Sequence, residues 1–280
     1  MGQAWSDLLA SHGNKKMNAL IGTYLIAGLV ILVYVTLIWL TSLKLRNASI
    51  VDIFWGMGFV ISAWVYFALT PDGLEARKLL LLTLTTIWGL RLSLHILRRN
   101  WKKPEDFRYR KWREENGQAW WWKSYFNVFI LQGALMWIIS MPLLAAQIAP
   151  GAGNLTILDF IGVLIWGIGF FFEAVGDWQL GRFVANPANK GKVLSTGVWR
   201  YTRHPNYFGD AAQWWGYYLL ALSAGGWWSI FSPLLMNYLL RYVSGAALLE
   251  KSMITKPQYK EYMETTPIFV PWFPRKPRPQ

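Results

Sequence analysis

Long apolar runs recur along the whole chain, and they limit what it can fold into more than any other feature. Seven stretches approach the roughly 20 residues that a helix needs to cross a bilayer: 19–43, 50–69, 78–97, 125–148, 157–180, 208–223 and 227–249. The sixth is the shortest and is interrupted by Gln213. A backbone in lipid must satisfy its own hydrogen bonds, which a helix does within one segment. The expected fold is therefore all-α, a polytopic membrane protein built as a bundle of about seven transmembrane helices.

The basic residues orient this bundle, because Lys and Arg gather in cytosolic loops. Place the first, third and fifth connections and the C-terminal tail on one side. That side then collects nearly all of the 28 Lys and Arg. Lys15, Lys16, Arg77 and Lys78 fall opposite, while Arg91 and Arg241 lie within helices. The N-terminus is thus expected outside and the C-terminus in the cytosol. Residues 1–17 form an N-terminal tail without the charged-then-apolar order of a signal peptide, so the first run is read as a retained helix. Aromatic and basic residues alternate in 98–123, which suits a cytosolic interfacial segment at the headgroup layer. No repeat or Pro-rich linker divides the sequence, so a single integral-membrane domain over 1–280 is expected. In a bacterium it would sit in the inner membrane, in a eukaryote in the endoplasmic reticulum.

Composition removes several function classes. Charged residues make up 15% of the chain, against roughly 25% in soluble domains. There is no Cys, which excludes disulfides, thiolate catalysis and Cys-bound metals. His12, His95 and His204 are too scattered for a three-His metal site. The net charge of +13 is explained by membrane topology, so no nucleic-acid partner is expected.

The polar stretch 196–210 stands out against this background. It packs Arg200, Arg203, His204, Asn206, Tyr207 and Asp210 just before an apolar run. Gly197 permits a tight turn, and Pro205 biases His204 to an extended conformation. Asn206 and Asp210 open the next helix, whose free N–H groups and dipole favour an anion. Two arginines, a histidine and a helix N-terminus resemble a phosphate-binding corner; the plain alternative is a basic loop holding a helix on the cytosolic side.

Acids also fall within or beside the apolar runs: Asp52, Asp159, Glu173, Asp177, Asp210 and Glu250. An ionised group near the bilayer centre costs about 2.5–3.5 kcal/mol on insertion scales, so these acids should line a polar cavity or have partners. The topology puts all but Asp159 at one cytosolic level. Asp159 is read as an N-terminal helix charge. Glu173 and Asp177 share a helix face, with Arg91 and Arg182 as available cations; structural ion pairs, such as Arg91 with Asp52 or Asp177, are the alternative.

Arg203-His204-Pro205-Asn206-Tyr207-Phe208-Gly209-Asp210 resembles the signature of membrane steroid 5-alpha-reductases and sterol reductases. The chain as a whole is similar to their bacterial relatives, a family described as being of unknown function. The likeness runs from about residue 50 to 273. It includes Asp52 within Ile50-Val51-Asp52-Ile53-Phe54-Trp55-Gly56, then Trp88-Gly89-Leu90-Arg91, Glu173 with Asp177, Glu250, and Tyr259 and Tyr262 before Pro267-Ile268-Phe269-Val270-Pro271-Trp272. The resemblance implies a helical bundle that binds NADPH in its cytosolic half, through a cofactor loop at 181–207 and a tail at 251–280. A lipid or steroid-like substrate would enter from the bilayer. By position, Arg91, Asp177, Arg182, Arg203, Asn206, Asp210 and Glu250 would contact the cofactor, with Tyr259 and Tyr262 over the adenine. Glu173, Arg200 and His204 join them from the reading of the residues, since arginines suit phosphates and acids suit hydroxyls.

The implied activity is an oxidoreductase acting on the CH–CH group, like 3-oxo-5-alpha-steroid 4-dehydrogenase: reduction of a carbon–carbon double bond with acid-assisted protonation. Two departures from the steroid enzymes stand in this chain. Val51-Asp52 replaces their Gln-Glu pair, and Trp88 replaces their tyrosine. Asp52 is accordingly expected to be the acid, kept neutral by burial, with a second donor from Tyr207, Tyr218 or Tyr238. The competing class is an S-adenosylmethionine-dependent membrane methyltransferase of the isoprenylcysteine type, which shares an Arg-His-Pro-x-Tyr-x-Gly loop and a later glutamate. A non-catalytic lipid-binding membrane protein is the third reading.

Overall fold

The structure is a computed structural model that describes residues 2–150, 153–243 and 245–275, and the backbone alone for 2–16, 248, 252 and 257. The chain divides into two compact units, Met1–Leu155 with Ala224–Gly226, and Thr156–Ser223 with Trp227–Gln280. Regular structure among the described residues is helical, apart from an isolated bridge between Gly73 and Pro150.

The first unit begins with α1 (Gly2–Leu45), a stretch without proline. Ala27, Ile31, Val35 and Ile38 recur at helical spacing and are buried, while Leu25, Leu29, Val33, Leu37 and Leu40 on its other faces are exposed. An apolar surface of that extent calls for lipid. Tyr24 stacks on Trp137 at 4.3 Å, and the Trp137 indole N–H donates to the Tyr24 carbonyl at 2.8 Å. Next come α2 (Ile50–Ile53), α3 (Trp55–Leu69) and α4 (Glu75–Asn100). The remainder, α5 (Phe107–Asn116), α6 (Trp120–Ser124), α7 (Leu131–Ile139) and α8 (Met141–Ile148), is joined by a π-helical stretch at Tyr125–Ile130.

The second unit is organised around α9 (Ile157–Ala185) and α10 (Pro205–Ser223). Thr156 and Asp159 form a capping box that starts α9, and Ser223 donates to Asp159 at 2.7 Å. The role expected for Asp159 is therefore met. Glycines seven apart on each helix bring the two backbones together. A Cβ at Gly169 would lie 2.5 Å from the Gly209 carbonyl, one at Gly216 would lie 2.7 Å from that of Gly162, and Gly176 faces Pro205. Those pairs run in opposite chain directions, so the helices are antiparallel. Then follow α11 (Phe231–Tyr238), a π-helical turn at Leu239–Val243, α12 (Ala246–Met253) and α13 (Pro257–Thr265).

Among the described residues, four helices are long and apolar enough to cross a membrane: Met17–Leu45, Glu75–Asn100, Phe107–Ile148 and Ile157–Ala185. They contain the first, third, fourth and fifth expected spans and make this a membrane-embedded protein, compatible with multiple passes. The second expected span is divided at Phe54, whose backbone (φ −93°, ψ 0°) leaves the α region and whose carbonyl accepts from the Tyr34 hydroxyl. The sixth corresponds to α10, and the seventh is interrupted by the π-helical turn.

Candidate functional site

The stretch 196–204 lies against the C-terminal segment of its own unit. Gly197 has φ 64°, and a Cβ there would strike the Gln179 side chain, whose oxygen accepts from the Val198 N–H at 3.1 Å. Only glycine fits that turn. The Trp199 indole donates to the Gly176 carbonyl at 3.1 Å, fastening the stretch to α9. Thr202 donates to the Phe269 carbonyl, and the Trp272 N–H to that of Tyr201, at 2.8 and 2.9 Å.

Arg203 and Glu250 close this arrangement. Arg203 is buried; its Nε donates to Glu250 Oε1 at 2.6 Å, and its Nη1 to the Met263 and Thr266 carbonyls at 3.0 and 2.6 Å. Glu250 also accepts from Tyr259, and its Oε1 lies 3.3 Å from His204 Nε2. Tyr262 donates to the Trp199 carbonyl. His204 stacks on Tyr207 with ring centroids 5.7 Å apart. Burial alone would raise the Glu250 carboxyl, but the Arg203 hydrogen bond and charge prevail and hold it below the usual carboxylate range. Burial pushes His204 down against the pull of Glu250, and pushes the Tyr259 phenol up to about 12. Arg203, His204 and Tyr259 thus all converge on Glu250, and the guanidinium serves to hold the C-terminal segment in place.

A ladder of polar pairs runs between α9 and α10. Gln213 donates to Glu173 at 2.6 Å, and Asn206 to Asp177 at 3.1 Å. Glu173, Asp177, Asp210 and Gln213 are all buried, and the second amide position, Gln213 Oε1, has no hydrogen-bond partner among the described residues. The acids expected to share a face do so, and the Asn206 and Gln213 amides donate to them.

The remaining cations are placed differently. Arg200 is exposed and lines a cavity of about 410 Å³ with Ser195, Thr196, Tyr262, Thr265 and Thr266. Arg182 is exposed at the end of α9, its guanidinium 5.0 Å from the Trp178 ring centre. Tyr218 is buried on α10, donates to the Trp227 carbonyl at 3.3 Å, and lines a second cavity of about 690 Å³.

Asp52 and Arg91 belong to the first unit. Arg91 is half-buried in α4. Asp52 accepts from the Tyr109 hydroxyl at 2.8 Å and lies 3.6 Å from Arg108, while Gln132 donates to the same tyrosine oxygen at 3.3 Å. Tyr109 was not singled out by the sequence: it sits 57 residues from Asp52 among interfacial aromatics. Gln213 had one signal, being an amide inside an apolar run.

Comparison with known proteins gives family membership without an activity. The profile of a family described as "Protein of unknown function (DUF1295)" matches residues 38–266. The uncharacterized protein C594.04c of the fission yeast Schizosaccharomyces pombe is 24% identical over 263 residues, covering 84% of this chain and 75% of the yeast protein. No solved structure matches the chain significantly.

Proposed function

The chain belongs to the DUF1295 family of proteins of unknown function, and from that starting point we propose that it is an NADPH-dependent membrane reductase acting on a carbon–carbon double bond of a lipid. One observation carries the reading. Two hydrogen-bonded polar pairs, Glu173–Gln213 and Asp177–Asn206, persist between helices that already pack glycine to glycine. Packing alone does not call for them, and carboxylates in an apolar bundle mark a functional site by default.

The donor set fits a phosphorylated dinucleotide. Arg200 and Arg182 present exposed guanidinium groups suited to phosphates. Glu173, Asp177, Asn206 and Asp210 would meet hydroxyl and amide groups, and the unpartnered Gln213 oxygen accepts one more donor. Tyr259 and Tyr262 would flank the adenine, with Arg203, His204 and Glu250 holding that wall. Once bound, the cofactor supplies a hydride. The residues of this chain then have to answer the negative charge that builds on a conjugated carbonyl oxygen as an enolate forms. Asp52 is the proposed donor of that proton, aligned by Tyr109.

Calorimetry on the purified protein tests the class. NADPH should bind more tightly than NADH, because the extra phosphate needs arginine; binding of S-adenosylmethionine with none of NADPH would assign a methyltransferase instead. With a substrate in hand, Asp52→Asn should lower turnover by about two or more orders of magnitude and leave NADPH affinity intact. Loss of thermal stability with full turnover would make Asp52 a strut. Seven spans with the N-terminus outside remain part of the proposal: cysteines at Lys102 and Lys190 should be labelled from the cytosolic side alone.

A further inference from the structure

The cavity of about 690 Å³ in the second unit falls within the roughly 300–1,000 Å³ typical of small-molecule sites. Its walls are apolar: Phe208, Ala212 and Trp215 from α10, Leu234 and Tyr238 from α11, and Val270 from the C-terminal segment. Two polar groups in the lining have unmet capacity. The Asn237 side-chain oxygen is buried with no hydrogen-bond partner among the described residues. Arg241 is the charged residue of the lining; its guanidinium rests 5.1 Å from the Tyr242 ring centre and pairs with no carboxylate among the described residues. Both sit where α11 passes into the π-helical turn Leu239–Val243, a distortion frequent at functional sites. Asn237 and Arg241 are four residues apart, so they project on one side of this segment.

We propose that this groove binds a free acidic amphiphile: one hydrocarbon chain or fused-ring skeleton along the apolar walls, with a carboxylate head on Arg241. An unpaired arginine at the edge of an apolar cavity is complementary to an anion and gains little from a neutral alcohol or ketone. The orphaned Asn237 oxygen is an acceptor, so it would take a hydroxyl of the ligand and not its carboxylate. The volume suits one chain or ring system, which sets a free acid apart from the two-chain phospholipids of the bilayer. As the class of compound to be reduced, this deepens the reductase reading and rests on it; as a binding site it stands independently.

Equilibrium dialysis of the full chain in neutral detergent decides it, with labelled oleate and lithocholate as probes and oleyl alcohol as the neutral counterpart. At least one acid should bind at least tenfold more tightly than the alcohol. Arg241→Gln should remove that preference, a loss of about tenfold or more, without changing NADPH affinity. Ala212→Trp should fill the groove and abolish binding of every probe. Acid binding that survives Arg241→Gln, an alcohol bound as tightly as the acids, or binding of neither acid would overturn the proposal. Equal competition by dioleoylphosphatidylglycerol would overturn it too, assigning the groove to the bilayer. If the acids bind as expected but NADPH does not bind the unaltered protein, the reductase reading fails and the groove remains.

Discussion

Among the described residues two helix pairs meet through glycines, α3 with α4 and α9 with α10, and what flanks the glycines differs. A Cβ at Gly56 would lie 2.7 Å from the Gly89 carbonyl, and Phe59 and Trp88 of the same two helices meet ring to ring, with centroids 5.6 Å apart. The Gly169–Gly209 contact is as close, yet Glu173 and Gln213 stand one turn away from it. Close backbone approach supplies van der Waals packing in either case. Aromatic rings complete the first pair at no electrostatic cost. The second pair keeps carboxylates that must be desolvated and paired. Packing and chemistry are therefore separable, and substitutions can test them separately.

The largest effect should come from the shared feature. Gly169→Val and Gly56→Val each push a branched side chain into a backbone carbonyl, an overpacking cost of about 3 kcal/mol or more. Thermal unfolding should show a drop of about 10 °C or a failure to yield monodisperse protein. If either variant melts within a degree or two of the unaltered chain, the close approach at that pair is not needed.

The feature that differs comes next. Asp177→Asn and Glu173→Gln keep the side-chain shape, so the melting temperature should hold while NADPH affinity falls about ten- to a hundredfold. Unchanged affinity with a lower melting temperature would make the ladder a packing device, and the contrast between the two pairs would collapse.

A smaller effect depends on pH. Glu250 and His204 both have folded-state values below their ordinary ones. The unfolded chain therefore binds more protons, and stability falls as pH falls. The melting temperature should decline first through the histidine range and then through the carboxylate range. Glu250→Gln should flatten the second decline. A profile identical in both proteins would mean that the C-terminal segment is held by its backbone contacts alone.

The smallest effect sharpens the comparison from the apolar side. Thr85 Oγ1 in α4 is buried without a hydrogen-bond partner among the described residues, so Thr85→Val should be neutral or stabilising by about 1 kcal/mol at most. Gln213→Leu, which strips a donor from Glu173, should cost about 1–3 kcal/mol. Equal outcomes in thermal unfolding would show that the ladder is no better satisfied than an orphaned hydroxyl.

Hydropathy and charge placement made the long helices legible, because crossing lipid requires an unbroken apolar segment whatever packs against it. Asp159 was legible for a similar reason: an acid three residues after Thr156 at a helix start acts locally. Glu173 and Asp177 could be placed on one face from their spacing. Their partners could not, since Asn206 and Gln213 lie 29 and 40 residues away and meet them only once α9 and α10 pack antiparallel.

Tertiary structure alone decided which charged groups turn inward. Arg200 and Arg203 are three residues apart in one polar loop, yet one is exposed beside a cavity and the other is buried on Glu250 and two backbone carbonyls. The pairing of Asp52 with Tyr109 and the break at Phe54 are of the same kind, each depending on a residue remote in sequence. Local order follows from neighbours along the chain, which the sequence displays directly. The environment of an ionisable group follows from neighbours in space, which exist only after the helices have packed.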